Sequence, residues 1–429
     1  MTYMRFDEIV DSISVEQMEN PPLSNSREQN IAFLARSVAN AHVGWNSFPE
    51  NIRNKFRQNI EELYNRAPAP DENILKEMEA LLIRSIPDNH TFILDKDKQK
   101  ILDEQEAQNI SDKLIDKYPE TSVGKNMAYS SEKYNPEDVL CYQSNGKHPI
   151  SIMEKTENGK KIGIVSLSKC PQPSDTSYDL EKFSGIFDNN YQKWDAVVLD
   201  VRGNEGGNSR LIEHISEKLY GTLPAYLRTQ EMRMTPEAKI LQAQKIKSRE
   251  FLDMLYAQNP NGYKSKPRKE TAFCEEKGFN KNIYVLMDRR TSSSAEFVCG
   301  LYNHPKIKYL GENSCGCGEY GDTGQLRLPN GGYLNMGIYK NESFCKIKEG
   351  EGFSPTHPTK KGQDAFEHCL QVMQNDFHLQ KVKDQLAKKE KAIQQSFGLS
   401  PVSGVSYKTQ TTKINPDILH LCQNKNQIR

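Results

Sequence analysis

Apolar residues fall at helical spacing near the start of the chain. Ile31, Phe33, Leu34, Val38 and Ala41 make one such face, and Ile52, Phe56, Ile60 and Leu63 another. Ala67-Pro68-Ala69-Pro70 interrupts the pattern, Asp71 opens a further helix through Leu75, Met78, Leu81 and Leu82, and Ile86-Pro87-Asp88-Asn89-His90-Thr91 ends it. These signals predict an N-terminal helical domain over 1–91. The pattern over 92–160 is mixed, with one helix expected from Glu104 to Tyr118 and then polar, turn-rich connecting sequence.

Beyond 160 the period changes. Residues 161–167, 195–201 and 283–287 are short apolar runs, the second of the fully buried kind. Helices are expected over 178–189, 211–219 and 295–303, and short strands around 307–310, 325–328 and 333–339. Strands that feed helices through glycine- or serine-rich turns define an α/β organisation. The core reads as 161–377, with an insertion over 220–280 that carries a charged helix from Pro236 to Gln258 and is a candidate lid. After a helix from Asp364 to Met373 the chain turns polar, so 378–397 reads as a solvated helix and 398–429 as a disordered tail.

A length of 429 residues suffices for two or three domains. Lys plus Arg and Asp plus Glu are equal at 57 each, so the formal net charge is zero, which argues against nucleic acid or an anionic membrane as partner. The mean hydropathy of −0.76 is polar for a globular chain and agrees with an exposed tail. No run approaches the roughly 20 apolar residues of a membrane span, and the acidic start Met1–Glu8 does not read as a secretory signal. Nine cysteines without a repeating spacing fit reduced thiols. A cytoplasmic chain is expected, with a processed exported form as the alternative.

Two turns carry candidate chemistry. The run at 283–287 leads into Arg290-Thr291-Ser292-Ser293-Ser294-Ala295-Glu296, which places three hydroxyls where a helix begins. A serine there is exposed, and the free N–H groups of the helix start can stabilise a nearby negative charge. Alone, the segment reads first as a Ser/Thr cap on an ordinary helix. The run at 195–201 leads into Arg202-Gly203-Asn204-Glu205-Gly206-Gly207, whose glycines permit positive φ and bring backbone N–H groups close to a ligand. It has neither the Lys-Ser/Thr of a phosphate loop nor the dinucleotide spacing. A nucleophile beside preorganised N–H donors is what acyl transfer requires, and composition does not choose among Ser292, Ser293 and Ser294. Cys315-Gly316-Cys317 lacks the paired spacing of structural zinc and reads as loop thiols; no metal site is expected.

Together these segments resemble the C-terminal processing, or tail-specific, serine peptidases. Val198-Leu199-Asp200-Val201-Arg202-Gly203-Asn204-Glu205-Gly206-Gly207 is similar to that family's hydrophobic-Asp-Leu-Arg-x-Asn-x-Gly-Gly signature, and Thr291-Ser292-Ser293-Ser294-Ala295-Glu296 to its Thr-Ala-Ser-Ala-x-Glu nucleophile segment. Gly311-Glu312 and Gly350-Glu351-Gly352-Phe353-Ser354-Pro355 resemble two downstream landmarks. The lysine of the bacterial Ser–Lys dyad is absent, since its place reads Gly316-Cys317-Gly318. Asp88-Asn89-His90-Thr91 instead resembles the Asp-x-His-Thr/Ser motif of the branch that includes the tricorn core protease and the photoreceptor retinoid-binding protein.

The resemblance implies a ClpP/crotonase-like α/β core and an N-terminal helical domain; many members also carry a PDZ domain, but the interval 92–160 is too short and has no Gly-Leu-Gly-Phe-like loop, so no PDZ domain is expected. It implies Ser293 as nucleophile, His90 as general base, Glu349 as a supporting acid with Glu351 as the neighbouring choice, and an oxyanion hole from N–H groups of Gly206 or Gly207 and of Ser294. The implied activity is serine-type hydrolysis of peptides or unfolded chain ends, without metal or organic cofactor. The substrate is a peptide or unfolded protein; nucleic acid and membrane are not expected partners, and the sequence is silent on oligomeric state. The alternatives are a catalytically inactive peptide- or ligand-binding protein on the same fold, which the missing lysine motivates, and an acyl-CoA-type enzyme on the related crotonase core.

Overall fold

The computed structural model describes residues 3–70, 72–102, 106, 138–144, 149–221, 227–246, 248–268, 277–301, 304, 306–343, 349–360 and 362–396. The helix expected over 104–118 lies outside them apart from Glu106, and so does the tail 398–429. The chain divides into two units, Met1–Leu370 and Gln371–Arg429.

The first unit opens with helices α1 (Phe6–Asp11), α2 (Val15–Glu19), α3 (Arg27–Arg36), α4 (Glu50–Asn65) and α5 (Ile74–Ser85). Local signals set their starts. Ser14 and Gln17 form a capping box at α2, Ser26 accepts from the Gln29 N–H at α3, and Asn73 accepts from the Leu75 and Lys76 N–H groups at α5. α3 ends in a π-helical turn, Ser37–Ala41, closed by the bond from the His42 N–H to Ser37 O at 3.2 Å.

The strands are β1 (Phe92–Leu94), β2 (Val139–Gln143), β3 (Ile150–Glu157), β4 (Lys160–Leu167), β5 (Ala196–Asp200), β6 (Leu227–Met232), β7 (Tyr263–Lys264), β8 (Asn282–Met287), β9 (Ile307–Gly311), β10 (Tyr320–Arg327), β11 (Tyr333–Ser343) and β12 (His357–Pro358). Seven form one sheet in the order β12-β9-β8-β5-β4-β3-β2, parallel from β12 to β4 and antiparallel beyond. In the second sheet β11 pairs with β1, β10 and β6, and β6 with β7.

Two apolar cores result. The helices Leu180–Asn190 and Arg210–Tyr220 cover the seven-stranded sheet through Phe183, Phe187, Ile212, Ile215 and Leu219, which pack on Val197, Leu199, Ile283 and Val285. Each such fully buried side chain contributes on the order of 1.5–3 kcal/mol. In the second core Phe33, Leu34, Ile60 and Leu82 pack with Leu326, Leu334 and Met336 of the smaller sheet and with Leu241. The N-terminal helices therefore share their core with strands from much later in the chain.

Three expectations change. The large sheet begins at Val139 rather than near 161, because in the supposed connecting region β3 pairs with β4 and β2 with β3. The helix expected from Pro236 to Gln258 is two helices, Pro236–Gln242 and Arg249–Gln258, the second capped by Ser248 accepting from the Phe251 N–H. The helices expected from 364 and from 378 form one, Ala365–Ser396, whose residues 371–396 are the described part of the second unit. No helix among the described residues is long and apolar enough to cross a membrane.

Candidate active site

β5 and β8 are neighbouring parallel strands in register, with Asp200 opposite Leu286, so the turns that follow them lie side by side. Carboxyl ends of parallel strands are where open α/β sheets place ligands. The turns are stitched together: the Gly203 N–H donates to Asp288 Oδ1 at 2.9 Å, Thr291 Oγ1 to Val201 O at 2.9 Å, and the Ser292 N–H to Asn204 O at 3.0 Å. Arg202, fully buried, pairs with Asp200 at 2.8 Å beneath them.

The glycine turn is shaped from inside by Asn204, whose Nδ2 donates to Leu167 O at 3.0 Å and whose Oδ1 accepts the Gly206 N–H at 2.8 Å. Gly206 and Gly207 have φ of 94° and 129°. A Cβ on Gly206 would stand 2.8 Å from Ser293 Cβ and 3.2 Å from Ser294 N. Of the oxyanion donors expected from sequence, the Gly206 N–H is engaged by Asn204 Oδ1, and the missing side chain of Gly206 leaves the space in which Ser293 packs. The parallel bridge of Gly207 with Cys170 uses the Asn208 N–H and Gly206 O, which leaves the Gly207 N–H without an acceptor among the described residues, as is that of Ser294.

Ser293 opens a 3-10 helix, Ser293–Leu301, with φ of 54°, a left-handed conformation that is uncommon for a residue with a side chain. Such a kink at a strand-to-helix turn presents the side chain outward. Ser292 and Ser294 are buried and Ser294 donates its hydroxyl to Gly207 O at 3.1 Å, whereas Ser293 is half-buried. Glu296 anchors this turn. Its carboxylate is fully buried and accepts N–H bonds from Gly316 at 2.8 Å and Cys317 at 2.9 Å, the Ser314 hydroxyl and the Ser293 N–H. Burial raises its pKa, and those four donors oppose the shift.

His90 arrives from the other sheet. Its turn is tied ahead of β1, which pairs with β11, and Asn335 Nδ2 donates to His90 O at 2.8 Å. Asp88 is the hub. Oδ1 accepts the His90 N–H at 2.8 Å and lies 3.5 Å from His90 Nδ1; Oδ2 accepts from His42 Nε2 at 2.9 Å and Thr91 Oγ1 at 2.6 Å. His42 Nδ1 accepts the Gly44 N–H at 2.9 Å, so the proton of the neutral ring sits on Nε2 and points at Asp88. Burial would raise Asp88, but the hydrogen bonds from His42 and His90, with the electrostatic attraction of the two rings, outweigh it and hold the carboxyl well below the usual range.

Glu349 joins this cluster, accepting from the Asn89 N–H at 3.3 Å and the Glu319 N–H at 3.1 Å. Burial, then the Asp88 charge, push its pKa up to about 10, so it is a neutral acid at pH 7. Glu351 is exposed. Ligand atoms of Asp88, His90 and Glu349 lie within 4.8 Å of one another. Both Asp88 oxygens are already occupied by N–H and O–H donors, which leaves the trio a poor metal cradle.

Ser293, His90, Asn89, Gly207 and Ser294 line one cavity of about 890 Å³, shared with Cys315 and Cys317. Ser293 Oγ and the His90 ring face it without a hydrogen bond between them; such bonds are often loose before substrate binds. Asp88, His42 and Glu296 escaped assignment from sequence. Asp88 and Glu296 stood inside the quoted motifs, whereas His42 carried no signal beyond following a helical face.

Residues 161–355 match the model of peptidase family S41. The fold recurs in the solved structure of mature CPAF complexed with lactacystin, 11% identical, covering 84% of this chain and 98% of that one with a TM-score of 0.52. A putative peptidase from Parabacteroides merdae ATCC 43184 is 12% identical over 81% of this chain and 97% of its own, with a TM-score of 0.49. The photosystem II D1 C-terminal processing protease is 13% identical over 79% and 94%, with a TM-score of 0.38. Curated protein sequences gave no match. The sheet, the paired turns and the family match define a serine-type peptidase. Over residues 161–355 the chain is similar to peptidase family S41.

Proposed function

We propose that the chain hydrolyses peptide bonds in peptides or unfolded chain ends through an acyl-enzyme on Ser293. One observation carries the reading: a serine with positive φ, two N–H groups without an acceptor among the described residues, and a histidine backed by a buried carboxylate surround one cavity. The substrate carbonyl oxygen points at the N–H groups of Gly207 and Ser294, which hold the charge that develops when Ser293 Oγ attacks. His90 takes the hydroxyl proton on Nε2, since Nδ1 faces Asp88, and returns it to the departing amine. Water then repeats the attack on the ester and frees Ser293.

Asp88, ionised and 3.5 Å from Nδ1, supports the imidazolium charge. Glu349, neutral at pH 7, contributes position: it holds the Asn89 N–H and so the turn that carries His90. The test is cleavage of an internally quenched, unfolded polypeptide. Wild type generates new amino termini and Ser293→Ala falls by roughly 10⁶-fold in kcat, the scale for loss of a serine nucleophile. Equal rates for the two proteins, or a folded wild type that cleaves nothing, would refute the proposal.

A further inference from the structure

Cys315 and Cys317 belong to no step of that chemistry, yet both line the cavity. Their sulfurs stand 3.0 Å apart, with the Cys317 thiol donating to Cys315 Sγ. Asn89 Nδ2 donates to both, at 3.0 Å to Cys317 and 3.5 Å to Cys315. The backbone between them is fixed: the Cys315 N–H donates to Thr291 O at 2.8 Å, and those of Gly316 and Cys317 to Glu296. Gly316 has φ of 78°, and a Cβ there would meet Gly352 N at 2.4 Å, so the loop holds the two thiols on one side.

We propose that Cys315 and Cys317 are a reversible dithiol modification site, oxidised by a small disulfide such as oxidised glutathione, and that closure of their disulfide slows the peptidase. Cys315 is the attacking thiol, being the more exposed of the two and the one whose sulfur accepts two hydrogen bonds, while Cys317 donates its own proton to it. Its thiolate attacks one glutathione sulfur and expels a glutathione thiolate. Cys317, once deprotonated, attacks Cys315 Sγ and expels the second. The protein dithiol loses two electrons, the glutathione disulfide gains them, and the two protons end on the two glutathione thiols. In the reduced pair, hydrogen bonding to Cys315, and then burial, raise Cys317 well above the usual thiol range, so Cys317 is not the thiol that attacks first. A ring of three residues removes little chain entropy, which suits a bond that is readily reduced.

The consequence follows from what the thiols touch. Asn89 sits between Asp88 and His90, and Glu296 holds the Ser293 N–H. Drawing the sulfurs together shifts both contacts.

The experiment treats the reduced full chain with oxidised glutathione, quenches in acid, alkylates free thiols and reads the peptide masses. The expected wild-type product escapes alkylation at both positions and is lighter than the reduced peptide by two hydrogens. Cys317→Ser instead keeps one glutathione on residue 315. Two separate adducts, or two alkylated thiols, would overturn the proposal. In parallel, hydrolysis by oxidised wild type is expected to fall at least about tenfold and to recover with reductant, while Cys315→Ser/Cys317→Ser does not respond to oxidant. An oxidised wild type with an undiminished rate would overturn the effect on activity. That effect rests on the proposed peptidase reading; the mass measurement does not, so failures of the two ideas are distinguishable.

Discussion

Gly206 packs against Ser293 so closely that a Cβ on the glycine would lie 2.8 Å from the serine Cβ. The turn after β5 thus acts as a template for the turn after β8. Gly206→Ala must displace Ser293 or unbend a residue with φ of 94°. The expected result is a loss of about 10²-fold in kcat/KM, the scale of an ångström misplacement, in a protein that still folds. Steady-state kinetics and circular dichroism check it; unchanged kinetics would separate the two turns functionally.

Asp88 predicts both a rate and a pH effect. Asp88→Asn removes the charge facing His90 and is expected to lower kcat by about 10²–10⁴-fold. Its folded pKa is depressed, so its stabilising contribution is present above the unfolded value of about 4 and lost as pH falls toward the folded value. The stability gap between wild type and variant should therefore be wider at pH 7 than at pH 3. Urea titrations at the two pH values measure it, and a gap that widens in acid contradicts the assignment.

Glu349 has the opposite sign. Its folded pKa is raised to about 10, so the stability of its neutral form is whole below the unfolded value of about 4.3 and erodes as pH rises toward 10. Glu349→Gln cannot ionise when unfolded. Between pH 5 and pH 9 it should lose less stability than wild type, seen as a smaller drop in urea midpoint.

Glu296 holds three N–H groups and a hydroxyl in a fully buried site. Glu296→Ala leaves those donors without partners and is expected to cost about 3–5 kcal/mol, as breaking a buried charged network does. Glu296→Gln should recover part of it, and thermal melts compare the three proteins.

The sequence was most legible where local chemistry decides structure. Buried runs marked the strands at Ala196–Asp200 and Asn282–Met287, and the glycines and serines after them marked the turns, while their adjacency came only from the fold. Long-range pairing was opaque: β3 is a strand because β4 lies beside it, and β2 because β3 does, while their polar residues gave no buried-strand pattern. Glu349 could be singled out, but not its neutral state, which depends on burial and on Asp88, 261 positions earlier. His42 was invisible for the same reason, since its meaning comes from the 2.9 Å contact with Asp88. Gly206 and Gly207 looked equivalent until the Asn204 side chain claimed one N–H.

The most direct measurement is covalent labelling of the folded protein by a fluorophosphonate, with the modified residue located by mass spectrometry. The account predicts a single phosphonylated serine at Ser293, no label on Ser293→Ala, and labelling of His90→Ala slowed by at least about 10³-fold. Label at Ser292 or Ser294, or an undiminished rate in His90→Ala, would contradict it.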